Sequence, residues 1–316
     1  MTSTLPPAIS GSTGLAGVLG DPVRHSLSPA MHNAALQALG LDWLYLALPV
    51  PAAALAGVLQ ALEALDCRGL NVTLPHKRAV AELVAELSPL ARRIGTVNTL
   101  VRREQGGWLG TNTDVEGFLE PLRQGDWHGR RALVLGCGGS APAVLAGLES
   151  LGFAAVAVAG RDPGRLAALA QGCSGWLPQL EPIPWHGNGP EGGATGAIAP
   201  PDASPALLEA LAGADLLVNT TPVGLASSRD PQAASRCPLA AADLRRLRPG
   251  STVYDLIYTP RPTRLLQAAR EQGCHTVDGL EMLVRQGAAS LRLWSGVETV
   301  PVEVMRHAAL AQLEGS

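Results

Sequence analysis

Apolar and polar positions along the first 113 residues follow two periods. Short apolar runs that end in turn residues read as strands, and apolar positions three and four apart read as helices. Residues 18–20 form the end of one predicted strand, 43–50 a second and 70–74 a third. Residues 97–102 and 107–109 predict two more, joined by a Gln105-Gly106 turn. A helix is expected from the Ser28-Pro29 cap-plus-proline signal to Leu39, with Gly40 as its stop. A second, 52–65, is apolar all round and should be packed on every side. A third is expected over 78–87, before Ser88-Pro89 repeats the start signal. This β-α-β-α-β-α-β order implies a largely parallel sheet.

A second rhythm begins near residue 130. Residues 131–135 and 155–159 read as buried strands around a helix at 141–151, and Asp162-Pro163 caps a helix to about residue 170. The stretch 186–206 is rich in Gly, Pro and Ala, and reads as a flexible surface insertion. Ser204-Pro205 caps the next helix. Strands follow at 215–219 and 252–256, then a helix at 263–272 stopped by Gly273, and a short strand at 276–277. Two helices close the chain, 280–294 and 302–313, the second entered through Pro301.

Composition narrows the class. With 316 residues the chain has room for two domains, and 47% apolar residues supply a sizeable core. A net charge of −3 without a basic run leaves no nucleic-acid footprint. No apolar run has membrane-spanning length, and residues 1–14 lack a signal-peptide pattern. Cys67, Cys137, Cys173, Cys237 and Cys274 are scattered and form no CxxC pair, which predicts reduced thiols in a cytoplasmic protein.

Gly136-Cys137-Gly138-Gly139-Ser140-Ala141 matches GxGxxA between a strand and a helix. Gly136 permits the tight turn, Gly138 and Gly139 let backbone approach a pyrophosphate, and Ala141 allows helix to pack on strand. Ser140 opens the helix whose N-terminus faces the anion. The next strand ends at Gly160-Arg161-Asp162. Gly160 leaves room, Arg161 can fork onto a 2′-phosphate, and Arg165 one turn later can add a second cation. That reading favours NADP. Asp162 is either the N-cap of the Pro163 helix or a ribose ligand, and in the second case NAD would serve.

A nicotinamide enzyme also needs a proton donor beside the reacting carbon. No Tyr-x-x-x-Lys pair is present, and no Cys/His cluster has catalytic-zinc spacing, so no metal is expected. Lys77, in Gly69-Leu70-Asn71-Val72-Thr73-Leu74-Pro75-His76-Lys77, is the sole lysine of the chain. Asn71 and Thr73 share one side of the strand before it. The stretch reads either as a capped strand end with a solvated cation or as a ligand edge. A desolvated lysine can release its proton and arginine cannot, which favours a chemical role. Asp114 stands at the entry to a helix, either as its N-cap or as the partner of Lys77.

Taken together, these blocks resemble the shikimate dehydrogenase family. They comprise Gly20-Asp21-Pro22, His25-Ser26-Leu27-Ser28-Pro29, His32-Asn33, the stretch ending at Lys77, Gly95-Thr96-Val97-Asn98-Thr99-Leu100, and Gly110-Thr111-Asn112-Thr113-Asp114. After the glycine loop come Asn219-Thr220-Thr221-Pro222-Val223-Gly224, Asp255-Leu256-Ile257-Tyr258-Thr259-Pro260, and residues 279–288. The resemblance implies an α/β protein of two domains. Residues 1–113 and 279–316 would bind substrate, with a mostly parallel sheet and C-terminal helices returning to it. Residues 114–278 would be a Rossmann NADP(H) domain. The implied activity is reversible NADPH-dependent reduction of 3-dehydroshikimate to shikimate, in aromatic amino-acid biosynthesis.

By the same resemblance Lys77 and Asp114 are the catalytic pair. Ser26 and Ser28 would hold the substrate carboxylate. Asn71, Thr73, Asn98 and Gln286 would hold the ring hydroxyls, with Tyr258 nearby. Asn219, Thr220 and Ile257 would line the cofactor side, with Gly279 and Met282 near the nicotinamide. The chain departs from the family where many members carry Asn-Arg-Thr in place of Gly160-Arg161-Asp162. It also has Gly287 in place of the usual alanine, and a longer insertion at 186–206. A dual quinate/shikimate dehydrogenase able to use NAD is the alternative expectation, and a non-catalytic NADP-binding regulator the remoter one. The assembly is expected to be a monomer or a homodimer.

Overall fold

The computed structural model describes residues 9–185, 203–226, 230 and 232–315. Contacts divide the chain into two compact units, Met1–Glu120 with Leu283–Ser316, and Pro121–Met282. The sequence rhythm puts the division points at 113/114 and 278/279.

The first unit runs β1 (Gly14–Gly20), α1 (Ser28–Ala38), β2 (Trp43–Pro49), α2 (Leu55–Ala64), β3 (Gly69–Val72), α3 (Ala79–Leu83), β4 (Glu86–Leu87), α4 (Pro89–Ile94), β5 (Thr99–Arg102), β6 (Trp108–Thr111) and α5 (Asp114–Leu119). Its sheet has the order β2-β1-β3-β5-β6-β4. β1 is parallel to β2 and β3, and β4 to β6, whereas β5 runs against both β3 and β6. Strands with neighbours on both edges and helices on their faces bury nearly every residue, as β1 and β3 do, while the edge strand β2 is only partly covered. One core cluster gathers Leu19, Leu55, Leu59, Leu70, Leu100 and Trp108.

Three expectations change here. The 78–87 helix stops at Leu83, because Val84 turns extended and Glu86–Leu87 pairs with β6. Pro89 also holds the preceding Ser88 extended. Ser28 lies inside α1 instead of capping it. The cap residue is Leu27, and the Ser26 hydroxyl accepts the Ser28 N–H at 3.2 Å. The 52–65 segment begins as a 3-10 turn over Ala52–Ala54, and α2 buries one face, Leu55, Leu59 and Leu62, leaving the rest toward solvent. By contrast, α4 follows its local signals. The Ser88 hydroxyl accepts the Ala91 N–H, and Gly95 ends the helix in the left-handed region at φ +67°.

The second unit runs β7 (Arg131–Leu135), α6 (Ala141–Ser150), β8 (Ala155–Gly160), α7 (Pro163–Cys173), β9 (Leu180–Pro184), α8 (Pro205–Gly213), β10 (Leu216–Asn219), α9 (Ala241–Leu244), β11 (Thr252–Asp255), α10 (Arg264–Glu271) and β12 (His275–Val277). Its strands pair in parallel, in the order β12-β11-β10-β7-β8-β9. The chain winds outward from β7 to β9, then restarts at β10 on the other side of β7. This is the doubly wound order, and it opens a crevice at the carboxyl ends of β7 and β10. Ser204 caps α8 as its sequence predicts, while 186–202 of the expected insertion lie outside the described residues. The second division point falls within α11 (Gly279–Ser295), and α12 (Val302–Glu314) completes the chain, packed on α1. Among the described residues no helix is long and apolar enough to cross a membrane.

The later part of α11 belongs to the first unit and is seated on its sheet by Trp294. The indole Nε1 donates to the Leu100 carbonyl oxygen at 3.0 Å, and the ring covers Gly69, where any Cβ would overlap it. Gly69→Ala is therefore expected to destabilise the fold by about 1–3 kcal/mol through overpacking. Urea unfolding followed by tryptophan fluorescence checks this.

Candidate active site

The stretch after β3 turns through Thr73-Leu74-Pro75, where the His76 N–H donates to the Thr73 carbonyl oxygen at 2.9 Å. His76 itself is buried, with Nε2 2.7 Å from the Val50 carbonyl oxygen, so this ring braces the turn. Lys77 follows and is 8% exposed, which excludes the solvated-cation reading. Its Nζ donates to Asp114 Oδ2 at 2.6 Å. The Asn98 Nδ2 donates to Asp114 Oδ1 at 2.8 Å, so each carboxylate oxygen has its own donor. Asp114 is the first residue of α5 and not its N-cap. Thr113 holds that position, and the Asp114 N–H is taken by Asn112 Oδ1 at 3.0 Å.

Sheet topology explains the meeting. Lys77 lies beyond the end of β3, and Asp114 lies just past the end of β6. β5 is antiparallel to both, so its start, preceded by Asn98, falls beside those two ends. Gln286, on the first-unit part of α11, joins them, its Oε1 3.3 Å from Asn98 Nδ2. Asn71 is 6% exposed and largely employed by the protein. Its oxygen accepts from the Tyr45 hydroxyl at 2.8 Å, and its nitrogen donates to Ser290 Oγ at 2.8 Å. Thr73 is half-buried, with no partner for its hydroxyl among the described residues. Ser26 is half-buried and Ser28 buried, at the mouth of α1. Burial holds His32 near pKa 3, stacked on Tyr45 with ring centroids 4.1 Å apart.

In the second unit Gly136 has φ +104°, and a Cβ there would sit 2.7 Å from Thr220 Oγ1. Only glycine meets both conditions. A Cβ on Gly138 would meet nothing within 4 Å, so open space faces that residue. Gly139 and Ser140 complete the turn, and the fully buried Ala141 starts α6 against the sheet. This cradle fits a pyrophosphate. Thr220 donates to the Leu135 carbonyl oxygen at 2.9 Å, fastening the β10 loop to the glycine loop. Asn219 is fully buried, giving Nδ2 to Asp255 Oδ1 at 2.9 Å and receiving the Thr221 hydroxyl at 2.7 Å. Burial raises the Asp255 carboxyl to about 6, against hydrogen bonds from Thr263, the Ile257 N–H and Asn219.

At the end of β8, Gly160 is packed against Cys137 and Arg161 is exposed. Asp162 caps α7, its Oδ1 accepting the Arg165 N–H at 3.0 Å, and its Oδ2 lies 3.4 Å from Arg165 Nε. Asp162 is thus engaged by its own helix, which leaves Arg161 as the cation at the strand end. A cavity of about 190 Å³ opens beside it, lined by Arg161, Trp185, Thr221, Val223, Arg236 and Cys237. Tyr258 is half-buried, its phenol pushed up by burial, and Ile257, Gly279 and Met282 lie in the same unit. The Gly279 N–H donates to the Ile257 carbonyl oxygen at 3.1 Å, and a Cβ at Gly279 would overlap the Leu256 carbonyl.

Sequence reasoning missed Tyr45, Thr99, Thr113 and Ser290, which connect the candidate residues. Thr99 and Thr113 each adjoin a candidate, Asn98 and Asp114, and Ser290 stands one helical turn beyond Gln286. Those spacings were the available signals.

A family described as shikimate dehydrogenase substrate binding domain matches residues 18–100, and one described as shikimate 5′-dehydrogenase C-terminal domain matches 279–310. The shikimate dehydrogenase (NADP(+)) of Synechococcus sp. (strain JA-3-3Ab) is 47% identical over 96% of this chain and 96% of its own. That of Synechocystis sp. (strain ATCC 27184) is 45% identical over 98% of this chain and 99% of its own. The crystal structure of shikimate 5-dehydrogenase from Thermus thermophilus, in complex with NADP(H) and shikimate, superposes with a TM-score of 0.77 at 38% identity. That match covers 95% of this chain and all of the other (100%). With a lysine–aspartate pair at the mixed-sheet edge, a glycine cradle at a doubly wound crevice and relatives matching end to end, the chain belongs to the shikimate dehydrogenase family.

Proposed function

We propose that the protein is an NADP-dependent shikimate dehydrogenase, catalysing the reversible reduction of 3-dehydroshikimate to shikimate. The observation that carries this is the buried Lys77–Asp114 pair, 2.6 Å apart, in a chain whose family relatives bear that name. NADPH, when bound, would supply a hydride to the carbon of the ring ketone. The ketone oxygen then requires one proton. Lys77 gives it from Nζ, and in the oxidising direction takes it back. Asp114 accepts another of the three Lys77 N–H groups and holds the nitrogen at one position. Asn98 fixes the carboxylate in turn.

The remaining roles follow from chemistry and placement. Ser26 and Ser28 offer hydroxyls to the substrate carboxylate. Thr73 and Gln286 offer donors and acceptors to the ring hydroxyls, Asn98 offers the Nδ2 hydrogen that Asp114 does not hold, and Asn71 keeps one oxygen lone pair for the same purpose. Tyr258 is assigned to substrate as well. The first unit, Met1–Glu120 with Leu283–Ser316, serves as the substrate domain and Pro121–Met282 as the cofactor domain. Gly136, Gly138, Gly139, Ser140 and Ala141 would hold the pyrophosphate, and Arg161 the 2′-phosphate. Asn219, Thr220, Ile257, Gly279 and Met282 shape the nicotinamide side. The dual quinate and NAD reading is not favoured, since Asp162 is spent on its helix and the relatives' names read NADP(+). Five free cysteines suit a reducing cytoplasm.

Lys77→Ala is expected to lower kcat by about 10²–10⁴-fold with a small change in KM for shikimate. Steady-state oxidation of shikimate checks it, and near-wild-type turnover would remove Lys77 from the chemistry. Arg161→Gln is expected to raise KM for NADP+ about 10-fold or more, the loss of one charge-assisted hydrogen bond, while KM for NAD+ stays level. Equal rises for both cofactors would show that Arg161 does not read the 2′-phosphate.

A further inference from the structure

Gln286 and Ser290 stand four residues apart on α11, on one face of the helix. Ser290 is fully buried and donates to the Gln286 carbonyl oxygen at 3.0 Å. Its Oγ lies 2.8 Å from Asn71 Nδ2, 2.9 Å from Thr99 Oγ1 and 3.1 Å from Thr113 Oγ1. The two threonine hydroxyls are themselves 3.0 Å apart, so three hydroxyls close a triangle inside the first unit.

Each hydroxyl has one proton to give. That of Ser290 goes to the helix carbonyl and that of Thr99 to Asn98 Oδ1 at 2.9 Å. Asn98 Oδ1 also accepts the Thr113 backbone N–H at 2.7 Å. With its oxygen so held, the Asn98 amide presents its nitrogen to Asp114 Oδ1 at 2.8 Å, with Thr113 Oγ1 at 3.0 Å and Gln286 Oε1 at 3.3 Å sharing its second hydrogen. Ser290 Oγ is left as an acceptor, for Asn71 Nδ2 and within reach of the Thr113 hydroxyl, whose other acceptors are Thr99 Oγ1 at 3.0 Å and Asn98 Oδ1 at 3.2 Å. The other acceptors open to Asn71 Nδ2 are longer, the Asn98 carbonyl oxygen at 3.2 Å and Thr99 Oγ1 at 3.3 Å.

We propose that Ser290 is a positioning residue for substrate: its hydroxyl ties the helix that carries Gln286 to the strand ends that carry Asn71, Asn98 and Thr113, and orients their polar groups. The proposal rests on the shikimate reading. It touches Asn71, Thr99 and Thr113 directly, and reaches Lys77 only at a remove, through Asn98 and Asp114. Its loss should therefore weaken shikimate binding far more than it slows the chemical step, with the cofactor untouched.

The test compares Ser290→Ala with Ser295→Ala. Ser295 makes the same kind of bond back along α11, to the Leu291 carbonyl oxygen at 2.7 Å, and stands outside the triangle. Ser290→Ala is expected to raise KM for shikimate about tenfold, as for one lost buried hydrogen bond, with kcat and KM for NADP+ within about twofold. Ser295→Ala is expected to leave all three unchanged. If Ser290→Ala does not fold, Thr99→Val removes another corner of the triangle at equal volume and should show the same split. A lowered melting temperature with KM for shikimate unchanged would make the hydroxyl purely structural and overturn the proposal. Wild-type protein that does not turn over shikimate would overturn the parent reading and this one with it.

Discussion

The buried contact between Lys77 and Asp114 constrains everything around it in the first unit. Withdrawing two charges from water costs several kcal/mol per ion, and the attraction between them offsets that only with good geometry and further hydrogen bonds. The required partners come from three strands and a helix. Because β5 runs against β3 and β6, the end of β3, the start of β5 and the end of β6 share one edge of the sheet. An all-parallel arrangement would put Asn98 at the opposite edge. The one reversed strand in an otherwise parallel sheet is thus what lets an amide reach the carboxylate.

The second unit solves a different problem. It must bring backbone close to a polyanion, so bulk is removed where approach is needed. Gly136 sits under the Thr220 hydroxyl, and Gly138 faces open space. The walls of that crevice are then stiffened from below by a buried carboxyl. Asp255 gathers Asn219, Thr263 and the Ile257 N–H, joining the ends of β10 and β11 to the first turn of α10. Its burial raises the pKa and its donors lower it, with burial the larger effect.

Much of this was legible in the chain. Buried strands such as β7 and β10 read as apolar runs, and Asp162 and Ser204 each cap the helix their sequence context announced. The failures have local causes. β9 carries Pro182 and Pro184 and lies mostly exposed at a sheet edge, where neither apolar pattern nor propensity marks a strand. β4 is two residues long and exists only because β6 is there to pair with it. Ser28 carries a helix-cap signature, but Ser26 takes the outward role, since the chain enters α1 already in helical conformation at Leu27. Ser290 was missed for another reason. Its one local signal is its place a helical turn beyond Gln286, and its partners include a residue 219 positions away.

The sole lysine returns to the same constraint. Arginine at position 77 would present a planar fork to Asp114 and could satisfy both carboxylate oxygens at once. That would displace Asn98 from Oδ1 and leave its amide nitrogen with only Thr113 and Gln286. It would also fix a charge that never leaves. Lysine occupies one oxygen, leaves the other to Asn98, and retains N–H bonds for a substrate oxygen. The arrangement therefore selects lysine on geometry as well as on acidity, and the two requirements point to the same residue.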